Sequence, residues 1–290
     1  MVKGSEYIEC PVCGISNEEE FVVSNDYRIV KCNGCGLLYV NPRPTSSNMS
    51  KYFKEEYIKD DERVDRDFVS LREPSLRREA AAIRRLLPQG GRLLDVGAAS
   101  GAFLANFIGQ AAWQLEGVEP SSVAAQFAAD RYGLKVHTGY LNDLKLETES
   151  YDVVTCLDTF YYLPYPNDDL KTIHRILKLG GLLACEIPGL RFRLMKNTGP
   201  ICWLLYKVPA RLNAGEHLFY YSAETLSHLL QAHGFSLIER HAEQSPVYGS
   251  SLTRFLNSSI FYATRVLSAL SATAIHLVPK EYLIYRKDNR

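Results

Sequence analysis

The sequence predicts an α/β fold: a parallel sheet wound on both faces by helices, preceded by a small cysteine-bearing unit. Three observations predict it. From Pro74 onward, short apolar strand patterns alternate with helical patterns, an alternation that builds parallel βα units when the helices run roughly 10–15 residues. The stretch LLDVGAASG, residues 93–101, takes an apolar strand straight into a turn made of small residues. Two C-x-x-C hooks stand near the N-terminus.

Taken in order, the hooks are Cys10 and Cys13 in CPVC, and Cys32 and Cys35 in CNGC, with 18 residues between them. Four thiolates at this spacing suit one tetrahedral zinc ion. Glycine follows each hook, at Gly14 and Gly36. It lets the backbone turn tightly so that amides point at the sulfurs. Between the hooks, EEFVVSNDYRIVKC reads as two strands joined at SND. So short a unit cannot bury a large core, so a metal would supply much of its fold. It is expected to dock on the main domain or cover its site. NPRPTSSN then reads as a linker, and residues 51–67 as a charged, solvated tract with interleaved aromatics.

The main body starts with PSLRREAAAIRRLL, a helix that puts Leu76, Ile83 and Leu87 on one face. RLLDVG is the first buried strand. GAFLANFI starts a helix with Phe103, Leu104, Phe107 and Ile108 inward. LEGVEP is the second strand, and SSVAAQFAADRYG a helix with a serine cap and a terminal glycine. KVHTG and YDVVTCLD are the third and fourth strands, NDDLKTIHRILKLGG a helix, and LLACEIP the fifth strand. The end departs from this rhythm: helix SAETLSHLLQAHGF, strand SLIERHAEQ and strand EYLIYRK predict a terminal antiparallel pair. Residues 255–278 read as one or two helices packed on the core or on a partner, which admits a homodimer. Cys156, Cys185 and Cys202 read as small apolar residues.

Composition narrows the function. The 290 residues carry 33 basic and 33 acidic side chains, a balance that disfavours a dedicated nucleic-acid binder. No apolar leader opens the chain and no long uncharged apolar window follows. The expectation is a cytoplasmic protein with reduced cysteines and no spanning helix.

In such a sheet the ligand sits at the carboxyl ends of the strands, which is where the turn at residues 97–101 falls. Dinucleotides and S-adenosylmethionine are the two common occupants. A dinucleotide site wants G-x-G-x-x-G so that pyrophosphate can approach the backbone. Ala99 stands where the middle glycine would be, and Asp95 would repel a pyrophosphate. S-adenosylmethionine has no phosphate. An acid in the turn can contact its amino-acid end, and Glu119, 24 residues after Asp95, can accept both ribose hydroxyls.

The ordered set DVGAASGAFL, GVEPS and YDVVTCLD resembles the class I S-adenosylmethionine-dependent methyltransferases. CPVCG…VKCNGCGLLYVNPRPT and GEHLFYYSAETLSHLLQAHGF resemble the bacterial subgroup that carries an N-terminal zinc-binding module. That subgroup includes sugar C-methyltransferases and enzymes of polysaccharide and natural-product pathways. The resemblance spans residues 8 to about 241 and the final strand. It implies a seven-stranded Rossmann-like sheet whose last strand is antiparallel. It also implies a zinc-binding module at 1–45 and a methyltransferase domain at 46–290, with a lid-like insertion at about 190–216. Carried over by position, Asp95, Gly97, Ala98 and Gly101 hold the methionine end and Glu119 the ribose. Pro120, Leu141 and Asn142 frame the adenine, with Asp143 for its amino group. Leu157 and Asp158 lie beside the sulfonium. Relatives commonly carry Glu-His in a D-x-x-E-H pattern after the fourth strand. Tyr161 and Tyr162 occupy those two positions here.

Methyl transfer needs alignment of the nucleophile and, for oxygen and carbon acceptors of ordinary acidity, a base. His217 is the candidate base or orienting group, with a structural histidine as the alternative. Tyr162 is a candidate to bind the acceptor or to line the pocket. Glu186 is a further acid at the strand ends. The insertion mixes Phe192, Trp203, Leu204, Leu205 and Tyr206 with Arg191, Arg193, Lys196, Lys207 and Arg211. An apolar, cationic lid suits an anionic or amphiphilic small-molecule acceptor and admits peripheral membrane contact. The alternatives are an RNA base methyltransferase and a non-catalytic cofactor-binding or assembly protein.

Overall fold

The computed structural model describes residues 4–51, 66–110, 112–245, 258–259, 261–264, 266 and 277–288. Most of the helices expected at 255–278 and most of the charged tract at 51–67 lie outside the described residues.

The N-terminal strands are β1 (Ser5–Glu6), β2 (Glu18–Ser24), β3 (Tyr27–Cys32), β4 (Leu38–Val40) and β5 (Arg43–Pro44). β2 and β3 form the expected hairpin. Its two turn residues, Asn25 and Asp26, sit at φ 51° and 64°, the left-handed pair that matches the twist of the flanking strands. Gly14 and Gly36 have φ of 70° and 78°, the conformation their place after the hooks calls for.

The segment read as a linker is instead part of the fold. Asn41 and Arg43 are buried. Asn41 Nδ2 donates to Glu18 Oε2 (2.8 Å) and Ile8 O (3.1 Å), while its Oδ1 accepts from Ile8 N (3.1 Å). Arg43 donates to Glu6 Oε1 and to Pro164 O. These polar side chains, beside the prolines, satisfy backbone groups of Ile8 and Pro164 across the fold, which a solvated linker would not do.

After α1 (Ser46–Lys51), α2 (Arg66–Leu86) begins before Pro74 rather than at it. The helix carries proline because its inner face, with Arg72, Ser75, Leu76, Glu79, Ala80 and Ile83 all buried, is fixed by tertiary packing. β6 (Gly91–Val96) follows. The helix expected next shrinks to a 3-10 turn at Leu104–Phe107. Phe107 is wedged edge-on between Phe103 and Trp113, at 5.5 and 4.9 Å between centroids. The chain turns extended at Ile108, which is exposed rather than inward.

The remaining elements are β7 (Trp113–Glu119), α3 (Ser122–Tyr132), β8 (Lys135–Thr138), β9 (Tyr151–Leu157), α4 (Pro166–Ile176), β10 (Leu177–Pro188), α5 (Leu190–Asn197), α6 (Gly199–Tyr206), β11 (Phe219–Tyr220), α7 (Ala223–Ala232), β12 (Phe235–Glu243) and β13 (Lys280–Lys287). Ser121 caps α3 through Ala124 N, and Gly133 ends it in the left-handed region, as its sequence predicts. Helix α4 stops at Ile176, short of the predicted LKLGG. Leu177 already pairs with Tyr151 in the sheet, and Gly180 (φ 71°) lies in the irregular stretch that follows.

The main sheet has seven strands in the order β12-β13-β10-β9-β6-β7-β8. β13 runs antiparallel to both β10 and β12, and the other pairings are parallel. Alternate residues of each strand feed opposite cores. Leu93, Val153 and Leu182 pack with Leu76 and Ile83 of α2. Leu94, Val154 and Leu183 pack with Leu170 of α4 and Leu226 of α7. The second core also contains Cys10, Cys32, Tyr39 and Met49. β11 joins the N-terminal strands as an edge, in the order β11-β4-β3-β2. The cysteine-bearing unit is therefore packed onto the main body through a shared core and a shared sheet.

Candidate active site

The turn after β6 and the acid ending β7 form one clasp. Gly97 N and Ala98 N donate to Val118 O at 2.8 and 3.1 Å. Ala99, at φ 45°, donates its N–H to Glu119 Oε2 at 2.9 Å, and Ser121 N donates to Oε1 at 2.9 Å. Each carboxylate oxygen keeps a second lone pair. Burial raises the Glu119 pKa, and the two N–H donors oppose that rise. Two backbone donors thus fix the orientation of the acid and offset part of the cost of burying its charge.

The small residues of the turn answer to neighbours in the same chain. A Cβ on Gly97 (φ 78°) would run into the Thr159 side chain. A Cβ on Gly101 (φ 76°) would come to 2.7 Å from Leu134 Cδ1 and 3.0 Å from Ala128 Cβ. Ala98 is buried, and it is the atom a Cβ on Gly117 would meet. Asp95 is 3 % exposed and accepts from Thr155 Oγ1 at 2.6 Å. Burial pushes its pKa up to about 7 against that hydrogen bond.

A cavity of about 680 Å³ opens at the carboxyl ends of the parallel strands. Gly97, Ala99, Glu119, Pro120, Leu141, Asn142 and Asp143 line one end. Leu157 and Asp158 line it too, as do Tyr162, Phe192, Arg193, Lys196 and His217 from the insertion side. Ser46 and Met49 of α1 contribute wall from the N-terminal side. Asp95, Ala98 and Gly101, expected at the methionine end, are not among the described lining residues. They support the turn from beneath. Asn142 is anchored at both ends of its amide: Nδ2 donates to Asp169 Oδ1 (2.7 Å) and Oδ1 accepts from Thr172 Oγ1 (2.5 Å). Asp143 Oδ2 accepts from Tyr140 N at 3.3 Å.

Asp158, at φ 53°, belongs to a charge cluster that sequence reasoning missed. Its carboxylate meets Lys280 Nζ and, at 3.2 Å, Arg72 Nη1, and it accepts from Tyr161 OH at 3.1 Å. Glu186 Oε2 lies 2.5 Å from Arg72 Nη2 and 2.9 Å from Lys280 Nζ. Burial works against the charge on Asp158, yet the Lys280 and Arg72 cations hold its pKa below the usual carboxylate range. Beside them Glu79 is fully buried with neither carboxyl oxygen hydrogen-bonded. Burial first, and the Glu186 charge second, push its pKa well up against the Arg72 and Lys280 cations. Arg72 and Lys280 also line the cavity. Nothing in LREPSL or VPKEYLIY marks them, since their partners lie 86 to 122 positions away.

At the insertion side, His217 is 8 % exposed. Its Nδ1 lies 2.9 Å from Arg193 Nη1 and its Nε2 lies 3.2 Å from Tyr162 OH. A guanidinium only donates, so Nδ1 accepts and Nε2 carries the hydrogen. Burial and the Arg193 charge both lower the His217 pKa well below the usual imidazole value. In this tautomer the Nδ1 lone pair faces Arg193 and the Nε2 hydrogen faces the Tyr162 hydroxyl.

In the N-terminal unit, Cys10, Cys13, Cys32 and Cys35 place their sulfurs within 4.8 Å of one another. The Cys10–Cys35 and Cys13–Cys32 sulfurs are 3.5 and 3.4 Å apart. Four thiolates at tetrahedral Zn–S distances would stand ~3.8 Å apart. Backbone N–H groups of Val12 and Cys13 point at the Cys10 sulfur, and those of Gly34 and Cys35 at Cys32, the second-sphere donors a thiolate set uses. The donor set fits one such ion. Asn167 Nδ2 of α4 donates to Pro11 O at 3.1 Å, tying the first hook to the cavity side of the main body.

This sheet order, with its single antiparallel strand, is the fold of the class I S-adenosylmethionine-dependent methyltransferases. The chain belongs to the family described as "Methyltransferase domain", which residues 69–240 match. Over 140 residues it is 29% identical to a tRNA U34 carboxymethyltransferase of Pseudomonas fluorescens and 30% identical to one of Pseudomonas aeruginosa. These alignments cover 42% of this chain and 43% and 42% of those proteins, so the chain spans less than half the length of the curated relatives it matches. Among solved structures, it resembles an S-adenosylmethionine-dependent methyltransferase from Thermotoga maritima with a TM-score of 0.52 at 22% identity. That match covers 83% of this chain and 100% of that one. It also resembles phosphoethanolamine N-methyltransferase 2 from Haemonchus contortus, with a TM-score of 0.57 at 15% identity, covering 87% and 63%. These likenesses are of fold. No helix among the described residues is long and apolar enough to cross a membrane.

Proposed function

We propose that the protein methylates a small-molecule acceptor: a sugar, a nucleotide-sugar or a lipid-linked intermediate of a biosynthetic pathway. The observation that carries this reading is the mixed lining of the cavity. The clasped Glu119 lines it together with Arg193, Lys196, Tyr162 and His217. The described partners of the Arg193 guanidinium are neutral: His217 Nδ1, Leu212 O at 2.5 Å, and the Tyr220 ring at 5.0 Å. Its charge is not cancelled by a contacting carboxylate, which favours an anion in the space it lines.

S-adenosylmethionine, when bound, supplies a methyl carbon made electrophilic by the adjacent sulfonium. Glu119 would take the ribose hydroxyls on its remaining lone pairs. Pro120, Leu141 and Asn142 would flank the adenine, and Gly97 and Ala99 would let the amino-acid end approach. Tyr162 would hold the acceptor and handle its proton, with His217 N–H and the Arg193 charge stabilising a phenolate. Asp158 would act by holding Tyr161 and Lys280 in place. The four cysteines would bind one structural zinc and brace the wall that carries Met49. The lid would be the segment at 190–216.

A second reading, RNA methylation, is favoured by one observation, the tRNA-modifying function named for the matched Pseudomonas relatives. The balanced charge of the whole chain weighs against it.

The test is calorimetric titration with S-adenosylmethionine and S-adenosylhomocysteine, with Glu119→Ala as control, followed by methyl-transfer assays on nucleotide-sugars and then RNA. Binding lost in the variant, with turnover on a sugar acceptor, supports the reading. Turnover on RNA alone replaces it.

A further inference from the structure

The segment that closes one side of the cavity also projects a finger. Its base is pinned by an antiparallel bridge between Thr198 and Ala210, with Gly199 N donating to Pro209 O (3.1 Å) and Arg211 N to Asn197 O (2.9 Å). Cys202 is fully buried and anchors the inner side of α6. The rest of the finger shows apolar bulk to solvent: Ile201 is 47 % exposed, Trp203 57 % and Leu204 71 %. Tyr206 and Val208 are exposed as well. So many large apolar side chains exposed within eight residues of one segment mark a surface that something covers.

The surrounding charge says what covers it. Residues 190–211 contain three arginines and two lysines and no acid, in a chain whose formal charge is zero. Lys196, Lys207 and Arg211 are exposed around the finger's base. Apolar tips ringed by cations suit the headgroup boundary of an anionic bilayer, where the tips enter the acyl region and the cations meet lipid phosphate. A second copy would set the exposed Lys196, Lys207 and Arg211 of one chain against those of the other, and the segment offers no acid for a symmetric contact.

We propose that the α5–α6 finger docks this protein on the surface of an anionic membrane, with Trp203 and Leu204 inserted. The preceding helix α5 supplies Phe192, Arg193 and Lys196 to the cavity wall, so docking sets that side of the cavity near the bilayer. The proposal goes beyond the methyl-transfer reading and does not rest on it.

The experiment is vesicle co-sedimentation of the full chain, using phosphatidylcholine alone and phosphatidylcholine mixed with phosphatidylglycerol. Tryptophan emission is recorded in a Trp113→Phe background, where Trp203 is the sole tryptophan of the two the chain carries. The expected result is binding to the anionic vesicles only, weakened by salt, with a blue shift of Trp203. Trp203→Ser with Leu204→Ser should abolish binding. Lys207→Glu with Arg211→Glu should weaken it by about tenfold or more. Circular dichroism and S-adenosylhomocysteine binding control for folding. No binding at low salt, binding unchanged by the apolar substitutions, or self-association at the patch in place of lipid binding would overturn the proposal. Loss of cofactor binding with lipid binding intact would count against the methyl-transfer reading alone.

Discussion

Arg193 donates to Nδ1 of His217 at 2.9 Å, and this single contact decides what the histidine can do. It fixes the tautomer and keeps the ring neutral. It also turns an N–H toward the Tyr162 hydroxyl at 3.2 Å. The three side chains form a relay with the cation at the back and the phenol at the cavity.

If the relay handles the acceptor's proton, Tyr162→Phe lowers turnover by at least about 10²-fold while cofactor affinity stays put. His217→Asn lowers turnover less. Arg193→Gln removes the cation behind the phenol and should also lower turnover, by less than Tyr162→Phe. Steady-state profiles of the three variants measure this. A Tyr162→Phe enzyme with wild-type kcat would leave the phenol no chemical role.

Asp95 predicts a pH effect on the cofactor-free protein. Burial raises its folded pKa from 3.8 to about 7. Between those values the folded state holds the extra proton. Its contribution is therefore fully present below pH 3.8 and is lost as pH rises through about 7. The ionised group then costs up to about 4 kcal/mol. Asp95→Asn keeps an acceptor for Thr155 and removes that cost. Its melting temperature should exceed wild type at about pH 8 and converge with it toward about pH 4. Parallel melting curves at every pH would refute the assignment.

Gly97 and Gly101 lie in one turn for different reasons, and substitution separates them. Gly97→Ala meets Thr159 and sits at φ 78°. It should cost about 2–4 kcal/mol and weaken S-adenosylhomocysteine binding. Adding Thr159→Ala should return part of the stability, since the strain of positive φ persists. Gly101→Ala presses on Leu134 and Ala128 and should lower the melting temperature with a smaller effect on affinity. Denaturant melts and titrations on the same preparations distinguish the two. Equal losses of affinity would mean that the turn fails as a unit.

These cases show what a sequence carries and what it hides. Periodicity exposed the strands, the terminal antiparallel pair and the capped α3, because each is a local pattern with a local cause. It overran at GAFLANFI, where the apolar spacing was right but Phe107 packs against Trp113, a contact set by the next strand. It misread NPRPTSSN because composition cannot show that Asn41 and Arg43 satisfy Ile8, Glu6 and Pro164 across the fold. Glu119 was legible from its distance to the glycine turn. Arg72 and Lys280 were not, since a buried ion-pair cluster is defined only when distant segments meet. The small residues of the turn leave room at its backbone. Part of that room is taken by Thr159, Leu134 and Ala128.

The cysteine unit gives the last prediction. It is braced on the main body by the shared β4–β11 pairing, by the Asn167 to Pro11 hydrogen bond and by a core that includes Cys10, Cys32 and Met49. Losing a zinc ion there should therefore be felt at the cavity as well as in the hooks. The purified protein should carry one zinc per chain by elemental analysis, and Cys13→Ser, the exposed ligand position, should lower that content. A loss of ~2 kcal/mol would lower the melting temperature by about 4–8 °C in a chain of this size. Because Met49 lines the cavity, S-adenosylhomocysteine affinity should fall with it, and added zinc should restore both in the wild type after chelation. Chelation that strips metal but leaves melting and affinity unchanged would show that the four sulfurs hold no structural ion. The hooks would then be braced by the hairpin and the shared core alone.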